Sequence, residues 1–318
     1  MTAHADPIPA SNSTITVVIP VYFNAESLPG LAEELGRVEA RLGEQRLDLQ
    51  LVFVDDGSGD DSFARLLEIK AARPATTIVK LTRNFGVVPA LRAGLRHTEG
   101  DCFAFLAADL QDPPTLIADM AALWQRGSKF VICERVRRQD PWMSRMLSRI
   151  YYFLLRRLVL PGYPAGGFDL ALMDRSMLGP MRDSAKSAYL PLLAWWLGFK
   201  PTVLSYERQP RAHGKSRWTF GKKFRAFLDV MLGFSVTPIR AISAVGVIVT
   251  MTSFVYAAIV AFAALSRDVP VPGLPVAVAL VTGLLGLIIV MLGVLGEYLW
   301  RVFDEINRRP DAVVEEVR

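Results

Sequence analysis

The chain has 318 residues, 52% of them hydrophobic and 21% charged, and a formal net charge of +5. That length allows one large domain with an appendage, or two domains. Two cysteines in apolar surroundings, Cys102 and Cys133, exclude a disulfide framework and a cysteine metal cluster and read as reduced core thiols.

The opening stretch MTAHADPIPASNST is polar and lacks an apolar core, so no signal peptide is expected in it, and residues 1–13 read as a disordered tail. Strand and helix signals then alternate. TITVVIPVY (14–22) reads as a strand and AESLPGLAEELGRVEARLG (25–43) as an amphipathic helix. LDLQLVFVDDGS (47–58) and DDSFARLLEIKAAR (60–73) repeat the pair, as do ATTIVKLTRN (75–84) and GVVPALRAGLRHT (86–98). DCFAFLAADL (101–110) is a fourth strand. This regularity predicts a mainly parallel sheet with helices on both faces. Ligands of such sheets bind beyond the carboxyl ends of the strands. Those ends carry the polar clusters VYFNAE, DDGSGD, TRNFG and ADLQD.

In DPWMSRMLSRIYYFLLRRLVLPGYP (140–164), Arg145, Arg149, Arg156 and Arg157 interleave with apolar and aromatic residues. Two readings stand: a basic amphipathic helix at a membrane surface, or a domain helix with a solvated basic face. WTFGKKFRAFLDVMLGFSV (218–236) shows the same pattern and is expected to be interfacial. Ala241–Leu265 and Val269–Gly296 contain no charged residue. Each is long enough to cross a bilayer core of about 30 Å. Lys222, Lys223, Arg225 and Arg240 precede the first stretch, and Arg301, Arg308 and Arg309 follow the second. The positive-inside rule then puts both ends and the large domain in the cytoplasm, with the protein in the inner membrane. The expected organisation is a catalytic domain over 14–217, a juxtamembrane helix over 218–237, a two-helix membrane domain over 238–300 and a tail over 301–318.

Acids at a strand end are costly unless partnered. Asp109 and Asp112 either cap the following helix or hold a cation. Asp56 and Asp60 invite the same choice before Gly57-Ser58 and the second helix, with capping favoured for Asp60. Arg83 reads either as a ligand for an anionic group or as a surface charge.

VVIPVYFNAESL and LVFVDDGSGD together resemble the nucleotide-sugar half of family-2 glycosyltransferases with the GT-A fold, and LTRNFG and ADLQDPP follow in the same order. GGFDLALMDR (166–175), ERQPRAHGKSRW (207–218) and two apolar stretches narrow the resemblance to polyprenyl-phosphate glycosyltransferases, the dolichol-phosphate mannosyltransferase-like enzymes and their undecaprenyl-phosphate relatives. It covers nearly all of 14–305.

The resemblance implies that Pro20, Tyr22 and Glu26 line base and ribose. It puts Asp56 where a uracil-type imide is bound, with Asp55 as the alternate, and Arg83 near the diphosphate. It makes Asp109 and Gln111 ligands of a divalent cation, and one carboxylate with one amide oxygen suits Mg²⁺ or Mn²⁺. Many relatives carry another Asp where this chain has Ala107, and Asp112 is the neighbour placed to assist. Asp169 matches the acid proposed as base in relatives. A lipid phosphate monoester is mostly a dianion at neutral pH, so positioning the acceptor or binding sugar hydroxyls is the preferred role. Relatives often carry an Arg where this chain has Ala171. Arg208, Arg211, Lys215, Ser216 and Arg217 then supply cationic and hydroxyl donors for the lipid phosphate. They also fit a polybasic patch for anionic lipids. His213 reads as a loop residue. No base-stacking platform accompanies the basic loop, which argues against nucleic acid as a partner.

The implied activity is metal-dependent inverting transfer of one sugar from a nucleotide sugar to polyprenyl phosphate, with a homo-oligomer through the membrane helices left open. A processive polysaccharide synthase is the first alternative, but the chain lacks QxxRW and further spans. A degenerate membrane scaffold, favoured only by Ala107 and Ala171, is the second.

Overall fold

The structure, a computed structural model, describes residues 12–135, 142–186, 188–207, 231, 233, 235, 237–266, 273–307 and 309–318. The chain divides into two compact units, Met1–Thr219 with Pro310–Arg318, and Phe220–Arg309.

The first unit is built on one sheet. Its strands are β1 (Ser13–Val21), β2 (Leu47–Asp55), β3 (Thr77–Leu81), β4 (Cys102–Phe105), β5 (Phe130–Arg135), β6 (Phe168–Asp174), β7 (Thr202–Tyr206) and β8 (Val314–Val317). They lie in the order β7-β5-β6-β4-β1-β2-β3-β8. β1 with β2, β2 with β3, β1 with β4 and β5 with β7 pair in parallel. β6 runs antiparallel to both β4 and β5, and β8 antiparallel to β3. The expected mixed, mainly parallel sheet is therefore present. β1 is its centre: Ile15, Val17, Val18, Ile19 and Val21 are all fully buried, as a parallel strand covered on both faces requires.

Helix α1 (Leu28–Glu44) buries Leu28, Leu31, Leu35, Val38 and Leu42, a stripe at three- and four-residue spacing. Pro29 sits in its first turn, where no backbone donor is lost, and this starts the helix three residues after the expected Ala25. α2 (Ser62–Ala72) and α3 (Val87–Leu95) complete the early crossovers, and α4 (Leu116–Gln125) follows β4. Cys102 and Cys133 are buried free thiols, and burial pushes the Cys133 thiol up to about 12.

Helix α5 (Trp142–Leu158) has two apolar faces. Leu155 is fully buried and Tyr152 stacks on Tyr163, whereas Met146, Ile150 and Phe153 are exposed beside the exposed Arg149, Arg156 and Arg157. Short helices α6 (Leu178–Arg182) and α7 (Leu190–Trp196) precede β7.

Within residues 301–318, expected as a tail, 301–306 belong to a helix and 313–318 join the sheet. Ile78 N–H donates to Arg318 O at 3.0 Å, Arg318 N–H returns a bond to Ile78 O at 2.9 Å, and Thr82 N–H donates to Val313 O at 3.0 Å. Arg92 of α3 pairs with Asp311 at 3.0 Å and also donates to Ala185 O at 2.9 Å.

The second unit contains α8 (Thr237–Ser266) and α9 (Gly273–Ile306). Ile239–Tyr256 and Gly283–Ile306 have mean hydropathies of 1.6 and 1.9, so both helices are long and apolar enough to cross a membrane. Within this unit, Tyr298 Oη donates to Ser235 O at 2.7 Å. Apart from 231, 233 and 235, the expected helix at 218–236 lies outside the described residues.

The Arg92 and Asp311 side chains are only 3% and 10% exposed. Removing one partner of such a pair leaves a buried charge uncompensated, at a cost of about 3 kcal/mol. Asp311→Ala is therefore expected to lower the denaturation midpoint of the full chain in detergent far more than Glu33→Ala. Glu33 pairs with Arg37 at 2.7 Å on the exposed face of α1, where an ion pair is worth about 0.5 kcal/mol. Equal shifts for the two variants would show that the Arg92 pair does not hold the C-terminal segment in place.

Candidate active site

The strand order reverses at β1. From β1 the chain steps outward to β2 and β3, then crosses back through α3 to place β4 on the other side of β1. Loops leaving adjacent strands at such a reversal diverge and open a crevice at the carboxyl edge. Here they are Tyr22–Ser27 after β1 and Leu106–Thr115 after β4.

The floor of the crevice is tied by short polar links. Ser27 Oγ donates to Ala108 O at 2.7 Å, joining the two diverging loops where both are buried. The β1 loop is fastened to the β2 loop through its own backbone donors. Phe23 N–H reaches Ser58 Oγ at 3.2 Å, Asn24 N–H reaches Ser62 Oγ at 2.8 Å, and Ala25 N–H reaches Asp60 Oδ2 at 3.3 Å. Asp60 Oδ1 also accepts Ser62 N–H at 3.2 Å, a bond at the start of α2, whose N-cap is Asp61 and not the expected Asp60. Phe23 adopts a left-handed φ of 55° and is exposed edge-on to Tyr22, with ring centroids 4.7 Å apart. A non-glycine residue in that region carries strain that the surrounding ties must hold.

Asp55 ends β2, Asp56 follows it, and both are buried. Asp56 does not cap a helix. Its Oδ1 accepts Phe85 N–H at 2.7 Å and its Oδ2 accepts Gly86 N–H at 2.9 Å, so one carboxylate holds the whole turn after β3. Burial raises its pKa against the lowering effect of those two bonds and of Arg83. Gly57 makes this approach possible. Its φ is +66°, and a Cβ there would lie 2.4 Å from the Arg83 carbonyl carbon. Asp55 Oδ1 accepts Ser58 N–H at 3.2 Å, while Oδ2 is buried with no hydrogen-bond partner among the described residues. Desolvation raises the Asp55 pKa as well. Arg83 is exposed, its guanidinium 4.0 Å from the Phe85 ring centroid.

The β4 strand is shorter than expected because the chain turns at Leu106–Gln111, with Leu110 at a φ of 58°. Gln111 N–H donates to Asp109 Oδ1 at 3.2 Å, which folds the two side chains' backbone into one turn. Both residues are half-buried. Asp112 differs: it is buried, and Tyr206 Oη donates to its Oδ1 at 2.5 Å. It does not cap α4, whose N-cap is Thr115.

Asp169 reaches this edge because β6 runs antiparallel to β4. The pairing Cys102↔Asp174 through Phe105↔Ala171 leaves the start of β6 at the carboxyl end of β4. Asp169 pairs with Arg135 from the end of β5. Ala171 is buried between β4 and β5 in the ladder, a position that suits a small apolar side chain.

One sheet edge therefore gathers Pro20, Tyr22, the exposed Glu26, Asp55, Asp56, Arg83, Asp109 and Gln111, with Asp169 arriving on β6. Arg208, Arg211, Lys215, Ser216 and Arg217 lie outside the described residues. Ser27, Arg135 and Tyr206 take part in the edge without having been singled out from the sequence. Only Ser27, two residues before Pro29, carried a local signal, and that signal reads as helix capping. Asp109 and Gln111 supply hard oxygen donors that fit Mg²⁺ or Mn²⁺. Among the described residues no three His, Cys, Asp or Glu side chains gather as a metal site. Two protein donors suit a cation shared with an anionic substrate.

The family model for Glycosyl transferase family 2 matches residues 16–180. An uncharacterized glycosyltransferase of Synechocystis is 30% identical over 305 residues, 95% of each chain. The uncharacterized glycosyltransferase YkcC of Bacillus subtilis is 31% identical over 302 residues, 94% of this chain and 93% of that one. The SfII prophage-derived bactoprenol glucosyl transferase of Shigella flexneri is 28% identical over 303 residues, 95% of this chain and 97% of that one. With a GT-A-type sheet whose polar loops share one carboxyl edge, and with these matches, the chain belongs to glycosyltransferase family 2.

Proposed function

We propose that the protein is a membrane-anchored inverting glycosyltransferase that moves a single sugar from a nucleotide sugar, uridine-linked, to polyprenyl phosphate on the cytoplasmic face. The observation that carries this reading is the convergence of Asp109, Gln111 and Asp169 on the edge that also holds the Asp55–Asp56 turn. Near-full-length similarity to proteins named bactoprenol glucosyl transferases supports the acceptor class.

The donor's base and ribose lie along Pro20, Tyr22, Glu26, Asp55 and Asp56. Asp56 serves the site by holding the Arg83–Gly86 turn, which keeps Arg83 available to the diphosphate. Asp109 and Gln111 would hold Mg²⁺ or Mn²⁺, which would supply positive charge against the charge developing on the departing nucleotide diphosphate. An oxygen of the lipid phosphate attacks the anomeric carbon from the face opposite the diphosphate. A bond from the anomeric carbon to that oxygen forms as the bond to the diphosphate breaks, with inversion. The acceptor is already mostly a dianion at neutral pH, so Asp169 orients the acceptor or the sugar hydroxyls and need not remove a proton. Arg208, Arg211, Lys215, Ser216 and Arg217 bind the lipid phosphate.

Helices α8 and α9 span the bilayer, and the exposed apolar side chains Phe254, Ile289 and Leu299 suit a lipid surface. The exposed stripe Met146, Ile150 and Phe153 with its arginines lets α5 lie at the headgroup level. The proposed domains are 14–217 for catalysis, 218–237 as the juxtamembrane helix and 238–300 in the membrane. Assembly of copies through the membrane helices is compatible with this arrangement.

Purified full-length protein, given a panel of UDP- and GDP-sugars with undecaprenyl phosphate, is expected to put one labelled sugar into organic-extractable lipid. A polymer, or no lipid product with any donor, would overturn the reading. Asp109→Ala is expected to slow transfer at least about a hundredfold while the protein stays folded and membrane-bound, since the lost charge stabilisation is worth several kcal/mol. Excess EDTA should bring the unaltered enzyme to a similar rate. Full activity of Asp109→Ala in EDTA would remove the metal from the mechanism.

A further inference from the structure

A line of four polar side chains runs under the candidate site, and each comes from a different segment. Asp112 belongs to the turn after β4, Tyr206 ends β7, Arg135 ends β5 and Asp169 lies near the start of β6. Asp112 and Tyr206 are 3% and 6% exposed, so their contact is shielded from water. Tyr206 Oη donates to Asp112 Oδ1 at 2.5 Å, and Arg135 lies beside Tyr206 in the ladder between β5 and β7. Arg135 in turn pairs with Asp169.

Chemistry gives the line a direction. A guanidinium only donates, so beside Arg135 the Tyr206 oxygen can serve only as an acceptor, and its own hydrogen is left for Asp112. Asp112 Oδ1 stands where that hydrogen points. Burial, followed by the Asp112 charge, pushes the Tyr206 phenol up, so the phenol keeps its proton.

Backbone geometry brings the groups together. Arg135 and Tyr206 are register partners in the parallel β5–β7 ladder. The register between β5 and β6 slips between Ile132 and Glu134. Such a bulge next to a site re-aims the side chains beyond it, and Arg135 is the next residue. Asp112 follows Gln111 directly, so whatever fixes Asp112 also fixes the end of the Asp109–Gln111 turn.

We propose that Tyr206 is a positioning residue, which sets Asp169 in register with the Asp109–Gln111 turn by holding Asp112 on one side and Arg135 on the other. This rests on the reading of that turn as the donor-diphosphate seat and of Asp169 as an acceptor-side or sugar-side group. Two halves of the reaction are then kept at a fixed spacing by a buried phenol that touches neither substrate.

The test uses the full-length protein in detergent, with kcat and KM for both substrates and the Kd of the free nucleotide diphosphate. Misplacing a reacting group by about 1 Å costs on the order of a hundredfold. Tyr206→Phe, which keeps the ring, is expected to lower kcat roughly tenfold to a hundredfold while the nucleotide Kd stays within about threefold. Asp112→Asn, which keeps an acceptor oxygen, should lower kcat less than Tyr206→Phe. The deciding measurement is the double variant. If Tyr206 acts through Asp169, then Tyr206→Phe has little further effect on kcat once Asp169→Asn is present. Losses that multiply in the double variant, or a wild-type kcat for Tyr206→Phe, would overturn the positioning role alone. A wild-type kcat for Asp169→Asn would overturn the underlying reading of Asp169, and the proposal with it. If Tyr206→Phe does not fold, the same comparison is made with Asp112→Asn in its place, with the same two outcomes.

Discussion

The reversal of strand order between β1 and β4 is the constraint on which the rest of the first unit depends. A parallel sheet that grew in one direction only would send every crossover the same way and leave no divergence between neighbouring loops. Once the chain has stepped out to β3 and returned through α3, the loops after β1 and β4 must separate. The separation creates a binding crevice, and it also creates a mechanical problem. Loops that part from each other have few apolar contacts to hold them. The solution seen here is a set of short polar ties, among them Ser27 to Ala108, Asp56 to the turn after β3, and Asp112 to Tyr206.

Those ties share an energetic character. Each places a hydroxyl or carboxylate at low exposure and gives it a specific donor or acceptor. A satisfied hydrogen bond adds only about 1 kcal/mol net, but an orphaned buried group costs more than that. The ties therefore act less as glue than as selectors, because an alternative loop arrangement would strand several polar groups at once. Asp55 is the exception beside them, since among the described residues one of its buried oxygens has no hydrogen-bond partner. The strained backbone at Phe23 and Leu110 sits beside the same ties. Strain of that kind persists only where its surroundings over-determine it.

The architecture was largely legible in the sequence, the polar ties much less so. β1 is a β-branched run and β2 an apolar one, both bounded by turn residues, and a buried parallel strand needs little else to be recognised. The clusters at the strand ends were visible because polar residues interrupt apolar runs abruptly. What the clusters do was harder to read. Asp56 bonds to backbone donors 29 and 30 residues away, and backbone donors leave no mark in a sequence. The partner of Asp112 is 94 residues distant, beyond any local pattern. Capping was a reasonable local expectation for Asp112 and failed because tertiary contact outweighed it. β8 was missed for another reason. VEEV is four residues with two charges, which is how an edge strand avoids pairing with the wrong partner.

The place of β8 in the chain has a consequence for how the protein is made. β3 is a core strand whose outer neighbour is encoded after both long apolar helices. During synthesis the sheet from β7 to β3 can assemble while that edge is still unpaired. The edge is closed only after helices α8 and α9 have left the ribosome, and closure also brings Asp311 to the buried Arg92. A nascent chain stalled within α9 would therefore present an open strand and an unmatched guanidinium together. Both are features that quality-control machinery can read, and completion of the last segment removes both in one step.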